Sequence, residues 1–172
     1  RPPPPSSGRP DVAPMALYRH VENKDDLIDG MIDLVFAEIE LPAGDLDWKA
    51  WMRQRAFSVR QALVRHPWAI GLMESRRQPG PATLRHHDAV IGRLRGSGLS
   101  LGMVAHAYSV MDAYIYGFAM NQASFPTESG METSELAAVM AEQFPAEEFP
   151  HLAEFTFEHV MRPGYDYGDE FE

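Results

Sequence analysis

Arg55, Arg77, His87 and Asp112 are polar side chains among otherwise apolar faces. Guanidinium, imidazole and carboxylate groups in apolar surroundings can orient a small ligand or satisfy one another. Each also has a plainer reading. Arg55 can run its stem along apolar surface with its head in water. His87 can be a hydrogen-bonded core histidine. Asp112 can pair with an Arg or Tyr across a subunit boundary, and Arg76-Arg77 can be a solvated helix end. Four such groups converging is nonetheless more than a plain core needs. A second set lies in Pro14-Met-Ala-Leu-Tyr-Arg-His-Val-Glu-Asn-Lys24. Tyr, Arg and Lys groups bond phosphates or guanine edges, and small apolar groups touch a thymine methyl. Leu17 and Val21 read as packing residues.

Catalytic patterns are missing from the sequence. A di-iron bundle needs two Glu-x-x-His motifs and two further Glu. This chain offers Glu148-Phe-Pro-His151, with Pro150 interrupting it. His86 and His87 are adjacent, so on a helix they point apart. There is no Gly-x-Ser-x-Gly, phosphate loop or dinucleotide fingerprint. No enzyme activity, catalytic residue, metal site or cofactor is expected.

The chain has 172 residues, 45% of them apolar, enough for a buried core. It has no cysteine, hence no disulfide or thiolate site. No apolar run is long enough for a membrane span and no signal peptide is apparent, so a cytoplasmic protein is expected. The net charge of −10 argues against wholesale nucleic-acid binding, but it is unevenly spread. Residues 1–24 carry +2, whereas 128–172 hold twelve acids against Arg162. Electrostatics permits DNA contact only near the N-terminal end.

The elements that must position these groups read as all-α. Residues 1–10 are Pro-rich and expected to be a disordered tail. Asn23 caps a helix over 23–40, with Asp25 and Asp26 in its first turn and Leu27, Ile28, Met31, Ile32, Val35 and Ile39 at helical spacing. Asp47 caps a helix over 48–65 whose apolar face includes Trp48, Trp51, Met52, Val59, Ala62 and Leu63, with Arg55 among them. A short helix Trp68–Met73 follows. Pro81 opens a helix over 81–96 with Leu84, Ile91 and Leu94 as its apolar line and His87 between. Ser100 caps the longest helix, 100–124. One face holds Leu101, Val104, Ala105, Tyr108, Met111, Asp112, Ile115 and Ala119; the other holds Met103, Ala107, Val110, Tyr114 and Gly117. A helix apolar on both sides is covered on both sides, and a second subunit is the natural cover. A polar loop, an acidic helix over 135–144 and a last helix over 150–162 complete the chain. The last helix offers Phe157 and Met161 on one side, and the tail after it has no strong helix pattern.

The motif Leu-Tyr-Arg-His-Val-x-Asn-Lys-x-x-Leu resembles the end of the DNA-reading helix in tetracycline-repressor (TetR) family regulators. The likeness continues through Trp48-Lys-Ala-Trp51, Ala62-Leu-Val-Arg-His-Pro-Trp68 and Gly98-Leu-Ser100. It implies an all-α protein: a helical-bundle regulatory domain (23–172, with 23–40 as connecting helix) after a helix-turn-helix domain only partly present (11–22). It implies DNA contacts from Pro14, Met15, Ala16, Tyr18, Arg19, His20 and Lys24, with Tyr18 and Lys24 on the backbone. It also implies an effector pocket. For that pocket the sequence offers Trp51, Val59, Leu72, Met73, Tyr108, Met111 and Ile115 as lining and Arg55, Arg77, His87 and Asp112 as polar groups. Ala107, Val110, Tyr114, Gly117, Phe157 and Met161 are the expected homodimer interface. Partners are then operator DNA and a small-molecule effector, with no membrane, and the function is a ligand-released repressor. The drug-binding repressor has Asn, Phe and His where this chain has Arg55, Val59 and Met73, so no magnesium–drug chelate is expected. We expect a segment to be missing between Pro10 and Asp11, which would place their Cα atoms well beyond ~3.8 Å, and truncation or disorder at the C-terminal end, where the resembled family continues into another apolar helix. If Pro10 and Asp11 are truly joined, the alternative is a helical ligand- or partner-binding module without DNA binding.

Overall fold

The computed structural model describes residues 21–73, 75, 78–124 and 144–171. The Pro10–Asp11 junction, Pro14, Met15, Ala16, Tyr18, Arg19, His20, Arg77 and the loop and acidic helix expected up to residue 143 lie outside the described residues. All regular structure among the described residues is helical. The chain divides into two compact units, one ending at Ile115 and one beginning at Tyr116.

In the first unit, α1 (Lys24–Ala37) starts at Asn23, whose Oδ1 accepts from the Asp26 N–H at 3.0 Å. This satisfies one of the orphan donors of a helix start. Ile32, Val35 and Phe36 are buried from α1, and Ile39 just beyond it. Met31, expected inward, is exposed, and Phe36 takes the inward place. At its C-terminal end Glu38 meets Arg65 Nε at 3.1 Å and His66 Nε2 at 2.9 Å. The His66 contact, then the Arg65 one, holds the Glu38 carboxyl below its ordinary range despite partial desolvation.

α2 (Trp48–Arg65) is capped by Asp47, which accepts from the Lys49 and Ala50 N–H groups. It buries Trp51, Met52, Arg55, Val59, Ala62 and Leu63. A 3₁₀ turn (Pro67–Ala69) leads into the one-turn α3 (Ile70–Met73). α4 (Pro81–Gly96) follows, ended by Gly98 at φ +91°, a left-handed conformation that glycine adopts without a Cβ clash.

The apolar line expected for α4 is only partly correct. Leu94 is fully buried, but Leu84 and Ile91 are exposed. The inward face is Ala82, Thr83, His86, Val90 and Leu94. Thr83 and one ring nitrogen of His86 hold inward positions because partners on other helices bond them. One partner is Asp33 of α1. It accepts from the Thr83 N–H at 2.8 Å, the Ala82 N–H at 3.2 Å and the Thr83 hydroxyl at 2.9 Å. Burial alone raises the Asp33 carboxyl; these bonds and Arg85 outweigh it and hold it below its ordinary 3.8.

α5 (Leu101–Ser124) crosses from the first unit into the second. Ser100 Oγ accepts from the Met103 N–H at its start. A core of Trp51, Met52, Val90, Leu94 and Val104 ties α2, α4 and α5, with Ala107, Tyr108 and Met111 packed against it. Ala107, expected on the outward face, therefore sits inward with Val104 and Met111, its neighbours at helical spacing.

The second unit holds the rest of α5, α6 (Pro150–Glu154), a π turn (Phe155–Val160) and a 3₁₀ turn (Tyr167–Phe171). The continuous α-helix expected over 150–162 thus changes pitch after one turn. The Met161 N–H donates five residues back to Thr156 O at 2.9 Å. The tail, expected to lack helical pattern, is ordered by aromatic contacts. Tyr167 stacks on Phe118 at 4.6 Å, Phe171 meets the same ring edge-on at 4.9 Å, and His159 bonds Glu170 at 2.7 Å.

Candidate functional site

A partly open cavity of about 240 Å³ lies in the first unit. α1 contributes Asp29, Ile32 and Phe36, α3 contributes Met73, and the loop before α4 contributes Gln78, Pro79 and Gly80. Thr83 and His87 of α4 and Tyr108 of α5 complete the wall. His87 Nδ1 and the Tyr108 hydroxyl are hydrogen-bonded to one another. The Phe36 ring packs on both histidines of α4, 5.3 Å from His86 and 5.5 Å from His87.

Beside this wall is a dry ionic cluster. Arg55 is wholly buried on α2, and its Nη1 lies 2.6 Å from Asp112 Oδ1 on α5. Its Nε and Nη2 point to His86 Nε2 at 3.1 and 3.0 Å. A guanidinium only donates, so His86 Nε2 must accept and the ring proton must sit on Nδ1. Burial first, then the charge of Arg55, pushes the His86 pKa down to about 3, so the ring is neutral. The Arg55 guanidinium lies 6.0 Å from the Tyr108 ring, linking the cluster to the cavity wall. Among the described residues, the Nδ1 of His86 and the Oδ2 of Asp112 are buried without a hydrogen-bond partner.

Of the expected effector residues, Met73, His87 and Tyr108 line the cavity. Arg55 and Asp112 lie in the adjoining cluster, so Arg55 does not carry its head to water and Asp112 finds its Arg within the same chain. Val59 and Ile115 are buried packing residues, Leu72 is half-buried off the wall, and Met111 packs on the core. Trp51 is placed elsewhere. Its Nε1–H donates to Pro42 O at 2.7 Å, and it lines an open cleft of about 560 Å³ with Arg93. Its position on the Arg55 face suited either side; the 41–47 linker draws it away. Lys24 is exposed at the start of α1. Val110 and Tyr114 are about half exposed along α5. Gly117 has no neighbouring atom where a Cβ would stand, Phe157 packs on Phe144 at 5.5 Å, and Met161 is half-buried.

His86, Phe36, Asp33 and Thr83 escaped the sequence reading. The adjacent histidines were a signal, since two neighbours pointing apart on a helix put one of them inward. Asp33 gave none, because an acid in a helix reads as solvated until its partner is known.

Among the described residues, then, the first unit is all-α, with a partly open cavity of mixed polarity between its helices. Residues 41–172 match the family described as tetracyclin repressor-like, C-terminal domain, and the chain belongs to that family. It is 34% identical over 110 residues to the HTH-type transcriptional repressor DrrR1 of Streptomyces coeruleorubidus, covering 63% of this chain and 41% of that one. It is 32% identical over 103 residues to an HTH-type transcriptional regulator of Saccharopolyspora erythraea, covering 59% and 44%. The chain therefore spans less than half the length of these two curated relatives. A solved structure described as a possible TetR family transcriptional regulator from Streptomyces coelicolor A3(2) superposes with a TM-score of 0.71 at 28% identity, over 94% of this chain and 78% of that one. The S. coelicolor TetR family protein ActR in complex with actinorhodin shares the fold, with a TM-score of 0.70 at 23% identity over 92% and 75%. No helix among the described residues is long and apolar enough to cross a membrane.

Proposed function

We propose that this chain is the ligand-binding and dimerising part of a transcriptional repressor that a small molecule releases from its operator. The observation that carries the reading is the partly enclosed cavity against α1, the helix that begins at Lys24 directly after the stretch resembling a DNA-reading helix. The relatives named as repressors and regulators support it, as does ActR, whose structure holds actinorhodin. The effector is an aromatic or otherwise partly apolar molecule with hydrogen-bonding edges. Phe36, Ile32 and Met73 give it apolar contact; Asp29, Gln78, His87 and Tyr108 orient it. Two copies joined along the outer face of α5 present two reading helices to successive major grooves. Ligand binding favours a dimer whose spacing no longer fits, which requires different ligand affinity in the two states.

The test pairs ligand and DNA. A library of partly apolar small molecules is screened for rise in melting temperature, since a ligand of the native state stabilises it. Fluorescence anisotropy then follows the duplex selected from a random pool. A hit that raises the melting temperature and weakens duplex binding is expected. Tyr18→Ala with Lys24→Ala should abolish duplex binding while leaving the hit bound. Unchanged duplex binding in that variant would remove the DNA assignment and leave a helical ligand-binding module.

A further inference from the structure

The open cleft of about 560 Å³ that Trp51 lines shares no lining residue with the cavity described above. The 41–47 linker, the start of α2 and the C-terminal half of α4 form it. Gly92 and Gly96 lie four residues apart on α4 and so share a face. Glycine within a helix weakens it relative to alanine. Neither glycine has a positive φ, and a Cβ at either would meet no atom within 4 Å beyond its own helical turn. No turn and no close neighbour demands glycine at these positions. What their missing side chains provide is open space in the cleft.

Arg93 brings a charge to this space. It is half-buried, its Nη2 donates to Leu46 O at 2.6 Å, and its guanidinium lies 5.8 Å from the Trp51 ring. Its Nε is shut off from solvent and has no hydrogen-bond partner among the described residues. Arg55, buried on α2, has a carboxylate beside it; the groups that Arg93 bonds, the carbonyls of Leu46 and Gly44, are neutral. A cation drawn out of water ordinarily has an anion for partner. Trp48 and Trp51, three residues apart on α2, add two indoles to the lining. Asp47 lines the cleft too, but its Oδ1 is held by the N–H groups of Lys49 and Ala50.

We propose that this cleft is a second ligand site, separate from the effector cavity, that takes a planar aromatic carboxylate. The carboxylate pairs with the Arg93 guanidinium, and the ring lies over Gly92 and Gly96 beside the two indoles. A side chain at position 92 would fill the space that the ring needs. The site stands whether or not the other cavity holds the effector.

Naphthalene-2-carboxylate is the probe and naphthalene-2-carboxamide its neutral twin, each titrated into the full chain by calorimetry. The carboxylate should bind with a Kd below about 1 mM, and the carboxamide about tenfold more weakly, the ratio a charge-assisted hydrogen bond supports. In ¹H–¹⁵N spectra the indole N–H signals of Trp48 and Trp51 should move with the carboxylate while that of Trp68 stays. Gly92→Leu fills the open space and replaces a helix-weakening residue, so its Tm should equal or exceed that of wild type. It should nonetheless bind the carboxylate at least about tenfold more weakly. Arg93→Gln keeps a donor for Leu46 O without the charge, and in it the two probes should bind alike. Asp47→Asn keeps a cap for α2, removes a negative charge and should tighten carboxylate binding. Equal affinity of wild type for both probes would overturn the anion preference, as would a preference that survives Arg93→Gln. Weaker carboxylate binding to Asp47→Asn would reverse the sign of the site. Unchanged binding to Gly92→Leu would put the probe elsewhere, and no saturable binding to wild type would remove the site.

Discussion

Arg55 and Asp112 form an ion pair at 2.6 Å in which solvent reaches 0% of the first side chain and 7% of the second. Removing one member of a pair this dry leaves a buried charge uncompensated, at a cost of about 3–5 kcal/mol. Asp112→Ala should lose that much in urea melts. Replacing the two together, Arg55→Met with Asp112→Leu, should recover most of it, because the desolvation penalty goes with the charges. A single Asp112→Ala that shifts stability by less than about 1 kcal/mol would contradict the buried-charge reading.

Acid should weaken the first unit in two separable windows. The His86 pKa falls from 6.5 to about 3 on folding, so its contribution is fully present above 6.5 and is lost as pH falls toward 3. A one-proton difference gives a slope of at most about 1.4 kcal/mol per pH unit. Asp33 is also depressed, but from 3.8, so its contribution is present above 3.8 and fades only below it. Between pH 6.5 and 5, His86→Gln should flatten the stability profile while Asp33→Asn leaves its slope unchanged. Parallel profiles for wild type and His86→Gln would reject the neutral, desolvated imidazole.

The outer face of α5 should associate through Val110 and Tyr114, which are 55% and 50% exposed. Val110→Glu with Tyr114→Glu puts like charges against one another across a two-fold interface. Sedimentation equilibrium should then report monomers where wild type gives dimers, with unchanged helicity by circular dichroism. A dimer that persists in the variant would move the interface elsewhere.

In the second unit, Phe171 is 5% exposed and packs edge-on to Phe118. Phe171→Ala should cost about 3–5 kcal/mol if that unit unfolds cooperatively. It should also open 163–171 to limited proteolysis. Unaltered protease resistance would mean that Tyr167 stacking alone anchors the tail.

Helix starts were legible because their signals are local. Asn23, Asp47 and Ser100 each bond an N–H two or three residues onward, and no distant residue decides that. Arg55 and Asp112 were legible as polar interruptions of apolar lines. Leu84 and Ile91 misled because α4 turns its polar members inward, and those are satisfied from far along the chain. Thr83 bonds Asp33, and His86 bonds Arg55, separated by 50 and 31 residues. No single-helix period encodes such a pairing. Trp51 lies away from this cavity, with its Nε1–H on the backbone of the preceding loop at Pro42 O, a partner its own helix does not reveal. The tail was illegible because aromatic stacking orders it, with no periodic pattern.

The π turn at Phe155–Val160 gives this stretch a property of phase. Each residue in an α-helix advances the direction of the side chains by about 100°, and a π turn accommodates one residue more than the straight path needs. Deleting any one residue from 155–160 would let the segment relax into ordinary helix. A deletion ahead of His159 would also change the direction in which that ring faces, and with it the bond to Glu170. The identity of the residue removed would matter less than the count, so within this turn the chain's length is itself a structural variable.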